Sequence, residues 1–263
     1  MIDRPDSDKG LKYQTVQNGA GRLQEVWSCR CVIARCFIIL IDTFRSIAAR
    51  YSGPLTRLSF MEPLPSQHSE SKALIRKELL LKRRALEREP WLLDSRVILR
   101  QVMTIPEILK AERIHCYVSM EKEREVFTLD LLEWLSLERK EVYLPYIERG
   151  WMVSARYLSA HSLEDSGAGP PSPDPLILSD GDRFDAVIVP LVGFDRKGGR
   201  IGYGKGWYDR FFEALSEKGI RPLRIGLAFG FQAVNSIPSD PWDELLDLVV
   251  TEGEIINCLT MRA

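Results

Sequence analysis

The stretch FDAVIVPLVGFDRKGGRIGYGKGWYDRFF, Phe184 to Phe212, decides how the rest of the chain is read. Its first part, Phe184 to Phe194, is a nearly continuous apolar run, the pattern of a central strand covered on both faces of a parallel sheet. WYDRFFEALSEKG at its far end, closed by Gly219, reads as a helix. Between them lies a glycine-rich loop carrying Arg200 and Lys205. In open α/β sheets, ligands bind where such a loop leaves a strand and enters a helix, because loop amides and the helix N-terminus converge there. The P-loop pattern G-x-x-x-x-G-K-[ST] is met at Gly199, Gly204 and Lys205 but stops at Gly206, where Ser or Thr would hold magnesium. Three readings compete: a damaged P-loop, a mobile linker with Asp209 capping the helix, or a phosphate cradle of another design. Gly202, Gly204 and Gly206 alternate, so backbone N–H groups can approach an anion unhindered. Arg200 and Lys205 add positive charge, and Asp209 in the first helical turn can supply the missing metal ligand. These features favour the cradle. Trp207 and Tyr208 either line a flat ligand or pack in the core.

Outward from this stretch the chain alternates strand and helix. SKALIRKELLLKRRALE, from Ser71, is rich in strong helix formers, and LLDSRVILRQVM reads as a second helix. RIHCYVSM (Arg113 to Met120) and EVYLPYI (Glu141 to Ile147) read as strands separated by the helical TLDLLEWLSLERK. RIGLAF and LLDLVVT supply two more strands. Residues 159–182, crowded with turn formers, read as an exposed connection. The pattern predicts a single α/β domain over residues 71–263, with a mostly parallel central sheet and helices on both faces, a Rossmann-like three-layer arrangement.

Residues 1–70 look different and are read as a poorly ordered N-terminal extension. Met1 to Gly21 is polar and patternless, and the apolar run CFIILI is far too short to span a bilayer. Translation from Met61, without the preceding residues, explains this segment better than a weak organelle-import signal, which Asp3, Asp6, Asp8 and Glu25 oppose. The 263 residues carry 36 Lys and Arg against 37 Asp and Glu. A net charge of -1 gives no general reason to expect nucleic acid or an anionic membrane as partner. Five cysteines without a secretory signal favour a reducing compartment. Cys29, Cys31 and Cys36 lack a nearby His or further Cys to complete a zinc site.

GFDRKGGRIGYGKGWYDRFF resembles the signature of the 5-formyltetrahydrofolate cyclo-ligase (methenyltetrahydrofolate synthetase) family, roughly G-x-R-[LI]-G-x-G-x-G-[YF]-Y-D. Three further motifs of that family occur in the same order. K-x-x-x-R on the first helix is matched by Lys72 and Arg76, and E-[VI]-x-T by Glu125, Val126 and Thr128. The C-terminal run is matched by Gly226 to Phe229, Gln232, Pro238, Asp243, Asp247 and Val249 to Glu252. The resemblance covers about Ser71 to Glu254. Trp207 stands where the family has Tyr or Phe, Trp242 where His is frequent, and Tyr146 where many members carry Arg.

The resemblance implies ATP- and magnesium-dependent conversion of 5-formyltetrahydrofolate to 5,10-methenyltetrahydrofolate, with release of ADP and phosphate. Carried over by motif position, ATP would be held by Lys72, Arg76, Arg200, Ile201, Gly202, Tyr203, Gly204, Lys205, Gly206, Trp207 and Tyr208. Magnesium would be held by Asp209 and Asp243. The folate would meet Val118, Glu125 and the loop from Tyr203 to Trp207, with Lys205 and Arg200 the catalytic cations. Read without the resemblance, Lys72 and Arg76 are a solvated helix face and Glu125 is a surface residue of a charged turn. The expected protein is a cytoplasmic monomer acting on 5-formyltetrahydrofolate and ATP, with no nucleic-acid or membrane partner. Two alternatives are another small-molecule ligase or kinase using the same loop, and a non-catalytic nucleotide- or folate-binding regulator.

Overall fold

A computed structural model describes residues 67–261, apart from 166, 168 and 182. The extension expected over residues 1–70 therefore lies outside the described residues, except for its last four. Helix α1 (Gln67–Arg84) begins ahead of the expected boundary at Ser71. Two more helices follow, α2 (Arg88–Val102) and the single-turn α3 (Pro106–Lys110). Pro90 falls in the first turn of α2, where its missing N–H would have no intrahelical partner.

The main sheet contains β1 (Arg113–His115), β2 (Glu141–Glu148), β3 (Trp151–Arg156), β6 (Ala186–Pro190), β9 (Leu223–Leu227), β10 (Leu248–Val250) and β11 (Ile255–Asn257). Their spatial order is β11-β10-β9-β6-β1-β2-β3. The five central strands run parallel, and β3 and β11 add antiparallel edges. Helix α4 (Leu129–Leu137) crosses from β1 to β2, and α5 (Trp207–Glu217) follows the glycine loop between β6 and β9. Alternate residues of the strands point to opposite layers. Ile114, Ala186, Ile188 and Ile225 pack with Ile98, Leu99, Ile108 and Leu132 of α2 to α4. Val187, Val189 and Val249 pack with Phe211, Phe212 and Leu215 of α5. The expected three-layer α/β architecture is what forms.

Several local expectations are corrected. The apolar run Phe184 to Phe194 is two strands, because β6 ends at Pro190, whose nitrogen cannot donate to a ladder. The chain then turns, and β7 (Gly193–Phe194) pairs antiparallel with β8 (Arg200–Ile201), so the start of the glycine loop is a hairpin. Strand β1 is shorter than Arg113 to Met120. Beyond Cys116 side chains replace the ladder: the Ser119 amide donates to Thr128 Oγ1 at 3.1 Å and the Thr128 amide to Ser119 Oγ at 3.3 Å. Strand β3 was not foreseen. Arg149 (φ 50) and Gly150 (φ 84) both lie in the left-handed region between the paired Glu148 and Trp151, as a two-residue hairpin turn requires. The connection over residues 159–182 contains a small hairpin, β4 (Leu163–Glu164) with β5 (Ser172–Pro173).

Strand succession runs from β1 to β2 toward one edge and from β6 through β9 to β10 toward the other. The reversal falls between neighbouring β1 and β6, and a crevice at the carboxyl ends of such a pair is where open α/β sheets place ligands.

Candidate functional site

The glycine loop leaves β6 at this reversal. Gly204 (φ +85) and Gly206 (φ +63) both take left-handed backbone, and Gly206 is the N-cap of α5 without any side-chain cap. A Cβ on Gly204 would sit 3.4 Å from Arg76 Cζ, so the guanidinium lies directly against the loop. Arg76 Nε also donates to the Gly202 carbonyl at 2.7 Å. The base of the loop is fixed by buried Asp195, whose carboxylate accepts from the amides of Lys197 (2.9 Å), Gly199 (3.0 Å) and Ile237 (2.9 Å).

Lys72 and Arg76 do not form a bare solvated face. Lys72 is buried and donates to Asp240 Oδ2 at 2.8 Å and to Asp243 Oδ2 at 2.5 Å. Burial pulls its ammonium down, but the bonds to the two carboxylates outweigh this and leave its pKa above the ordinary lysine value. Helix α1 and the Asp243 segment, 171 residues apart in sequence, thus meet at the loop.

Arg200 comes off β8 almost fully buried. Its Nη2 donates to Asp209 Oδ1 at 2.7 Å, and its Nη1 donates to the Glu244 carbonyl. The Glu244 amide also donates to Asp209 Oδ1 at 3.3 Å. Asp209 and the chain at Asp243 and Glu244 are thereby neighbours around one guanidinium. Burial lowers the Arg200 pKa, with Asp209 opposing that shift, yet a guanidinium remains charged at any working pH.

Glu125 is not the surface residue its charged neighbours suggest: only 2 % of it is exposed. A 3₁₀ turn, Glu121–Glu123, is followed by Arg124 in the left-handed region (φ 51), which turns Glu125 inward. Its Oε2 accepts the Met120 amide at 2.7 Å and its Oε1 accepts the Tyr203 hydroxyl at 2.7 Å. Burial raises the Glu125 carboxyl pKa above the ordinary value, against the lowering effect of these two bonds. Val118, also buried, precedes this turn on the chain leaving β1.

The remaining loop residues divide. Lys205 is exposed and makes no hydrogen bond or ion pair with the described residues. Ile201 is a core residue, packed with Leu79, Val192 and Ile237. Trp207 has Arg210 over its ring at 4.7 Å and lines, with Trp151, Phe211 and Leu215, a cavity of about 250 Å³ between α5 and β3. Tyr208 takes the core alternative: its ring centroid lies 6.2 Å from those of His115 and Phe212, and its hydroxyl is buried without a partner among the described residues. What it can offer a ligand is its backbone amide.

Sequence reasoning gave no role to three supports. Arg83, on the same face of α1 as Lys72 and Arg76, is 1 % exposed and reaches Tyr203. Its spacing of seven residues from Arg76 was the available signal. Asp195 carried no pattern beyond its place in GFDRKGG. Gln232, within the C-terminal motif, is a brace: it accepts the Phe229 amide at 2.8 Å and donates to the Val192 carbonyl at 2.7 Å.

A family model described as the 5-formyltetrahydrofolate cyclo-ligase family matches residues 68–252. The 5-formyltetrahydrofolate cyclo-ligase of Haemophilus influenzae is 30% identical over 159 residues, covering 58% of this chain and 83% of that protein. The enzyme of the same name from Saccharomyces cerevisiae is 29% identical over 201 residues, covering 68% of this chain and 94% of that one. Among solved structures, 5,10-methenyltetrahydrofolate synthetase from Aquifex aeolicus superposes with a TM-score of 0.62 at 30% identity, over 71% of this chain and 92% of that chain.

Proposed function

Because the chain belongs to the 5-formyltetrahydrofolate cyclo-ligase family, we propose that it cyclises 5-formyltetrahydrofolate to 5,10-methenyltetrahydrofolate at the expense of ATP. The observation that carries this reading is convergence. Lys72 with Asp243, Arg76 with Gly202, Arg200 with Asp209, and Glu125 with Tyr203 all meet around one loop at the switch point of the sheet.

The substrate's N5-formyl group is an amide, so its oxygen must become a leaving group before N10 can close the ring. The formyl oxygen attacks the γ-phosphorus, the bond to the ADP oxygen breaks, and an imino-phosphate results. N10 then adds to the formyl carbon and loses its proton; phosphate departs with the C–O bond electrons, leaving the N5–CH–N10 amidinium. Catalysis of this kind is mostly alignment and charge neutralisation. Exposed Lys205 reaches the terminal phosphate, and Arg76 and Lys72 approach the same face of the loop from α1. The left-handed glycines present backbone amides to the phosphates, beside the open N-terminus of α5. Buried Arg200 keeps Asp209 oriented. The Glu125 carboxylate accepts hydrogen bonds from pterin N–H donors, beside Val118.

The donor set suits magnesium. Among the described residues no group of three or more His, Cys, Asp or Glu forms a metal cage. Magnesium on a nucleotide needs only one or two carboxylates, its other positions going to phosphates and water. Asp209 and Asp243, held near each other by Arg200 and the Glu244 amide, would supply those two. When bound, the ion would neutralise charge on the phosphates.

We also read residues 71–263 as the catalytic unit, acting as a cytoplasmic monomer. Among the described residues no helix is long and apolar enough to cross a membrane. The direct test mixes purified protein with 5-formyltetrahydrofolate and Mg-ATP and follows methenyltetrahydrofolate absorbance. Product above a no-enzyme control supports the reading. Binding of both ligands without product would overturn it in favour of a silent regulator, and ADP release only with other acids or amides would point to a different ligase or kinase.

A further inference from the structure

The site contains a buried charge that the reaction itself does not call for. Arg83 is 1 % exposed, and its three hydrogen bonds to the described residues all end on neutral oxygens: Nε on the Glu123 carbonyl (2.7 Å), Nη1 on the Leu191 carbonyl (2.8 Å) and Nη2 on the Tyr203 hydroxyl (2.5 Å). A buried guanidinium with no carboxylate bonded to it is costly unless an opposite charge lies close by. That charge is one hydroxyl away. Tyr203 accepts from Arg83 and donates to Glu125 Oε1 at 2.7 Å, so cation, phenol and carboxylate stand in line. The guanidinium also lies 5.6 Å from the centroid of the Tyr203 ring.

The three residues come from three parts of the chain: α1, the glycine loop, and the turn after β1. Through Leu191 and Glu123, Arg83 also grips the exit of β6 and the turn that carries Glu125. The backbone of Glu125 is pinned separately, its carbonyl accepting Trp91 Nε1 at 2.6 Å. What Arg83 and Tyr203 control is therefore the carboxylate itself.

We propose that Arg83, acting through the Tyr203 hydroxyl, is the positioning residue that keeps the Glu125 carboxylate ionised and turned toward the folate, tying the substrate side of the site to the phosphate loop. The folate part of this statement rests on the function proposed above; the relay does not. Other groups facing Glu125 give no substitute. Glu123 on the same turn and the buried hydroxyls of Tyr117 and Tyr208 bear no positive charge, and the Met120 amide is a neutral donor. Arg124, the adjacent residue, stacks over Trp91 at 4.8 Å and donates to the Leu86 carbonyl. Burial raises the Glu125 pKa, and Arg83 and Tyr203 both act to hold it down.

The test follows the ¹³C carboxyl resonance of Glu125 in the full chain with pH, assigned by its loss in Glu125→Gln. Removing a nearby opposite charge should move the titration midpoint up by about one pH unit or more in Arg83→Met. Tyr203→Phe should move it in the same direction, and Arg83→Lys, which keeps the charge, should move it less. In turnover, Arg83→Met should raise KM for 5-formyltetrahydrofolate several-fold at pH values below the shifted midpoint and recover as pH rises above it, with KM for ATP little changed. An unshifted midpoint in folded Arg83→Met and Tyr203→Phe overturns the relay, as does a rise in both KM values without pH recovery. Should Arg83→Met fail to fold, Tyr203→Phe decides. A wild-type protein that makes no methenyltetrahydrofolate would count against the folate reading alone, because the resonance still reports the relay.

Discussion

Asp195 fills the space that a side chain on Gly199 would need: a Cβ there would lie 2.6 Å from Asp195 Oδ2. The same carboxylate takes three backbone amides, two within its own turn and that of Ile237 across the fold. Together they hold the hairpin that aims Arg200 and opens the glycine loop. Asp195→Ala would leave three amides without their acceptor, at about 1–3 kcal/mol for each one that water cannot reach. Denaturant unfolding should show a loss of about 3 kcal/mol, with Gly199→Ala losing a similar amount through the clash. Unchanged midpoints in both variants would show that the hairpin holds itself.

Lys205 behaves oppositely. It is exposed and unpaired among the described residues, so Lys205→Ala should leave stability within about 0.5 kcal/mol of wild type. Turnover should fall at least about a hundredfold, the loss expected when one preorganised charge on a developing phosphate is removed. Matched unfolding curves and initial rates check this pair. Substantial residual activity would remove Lys205 from the mechanism.

Most of the fold was legible because its signals are local. The apolar run into β6, the glycine loop and the helix starting at Trp207 each follow from neighbouring residues, and β-α-β alternation then implies parallel strands. Long-range pairing was not legible. Nothing near Glu125 in sequence says that Arg124 takes left-handed backbone and buries the next side chain, and nothing in α1 names Asp240 as the partner of Lys72. Edge strands β3 and β11 were missed because antiparallel additions need only a tight turn, and Arg149–Gly150 is a quiet one. The family motifs named the candidate residues, but the pairings among them (Lys72 with Asp243, Arg200 with Asp209, Tyr203 with Glu125) exist only in the folded chain.

The Lys72–Asp243 contact makes a coupling prediction. If the lysine serves ATP and the aspartate the metal on that ATP, the two act on one ligand and also hold each other. Lys72→Met and Asp243→Asn should each raise KM for ATP about tenfold or more, and the double variant should fall well short of the product. A double-mutant cycle on KM for ATP measures this. Independent, multiplicative effects would mean that the contact has no part in nucleotide binding.

His115 makes the last prediction, and it concerns stability alone. The imidazole on β1 is fully buried among Phe184 (5.5 Å between ring centroids), Phe211 (5.0 Å) and Tyr208 (6.2 Å), and neither ring nitrogen has a partner among the described residues. Burial pushes its pKa down to about 3 from an ordinary 6.5. The folded pKa is depressed, so the unfolded chain binds a proton below about pH 6.5 that the native protein refuses, and stability drains away as pH falls toward 3. The full loss across that window is on the order of 5 kcal/mol, spread at about 1.4 kcal/mol per pH unit. His115→Phe replaces two unpaired polar atoms by an apolar ring in an aromatic cluster, which should cost little at pH 8. Its unfolding free energy, followed by urea melts from pH 8 to pH 4, should therefore lose much of the acid slope seen in the wild type. Parallel acid limbs would show that His115 is hydrogen-bonded or hydrated in solution and takes its proton without unfolding.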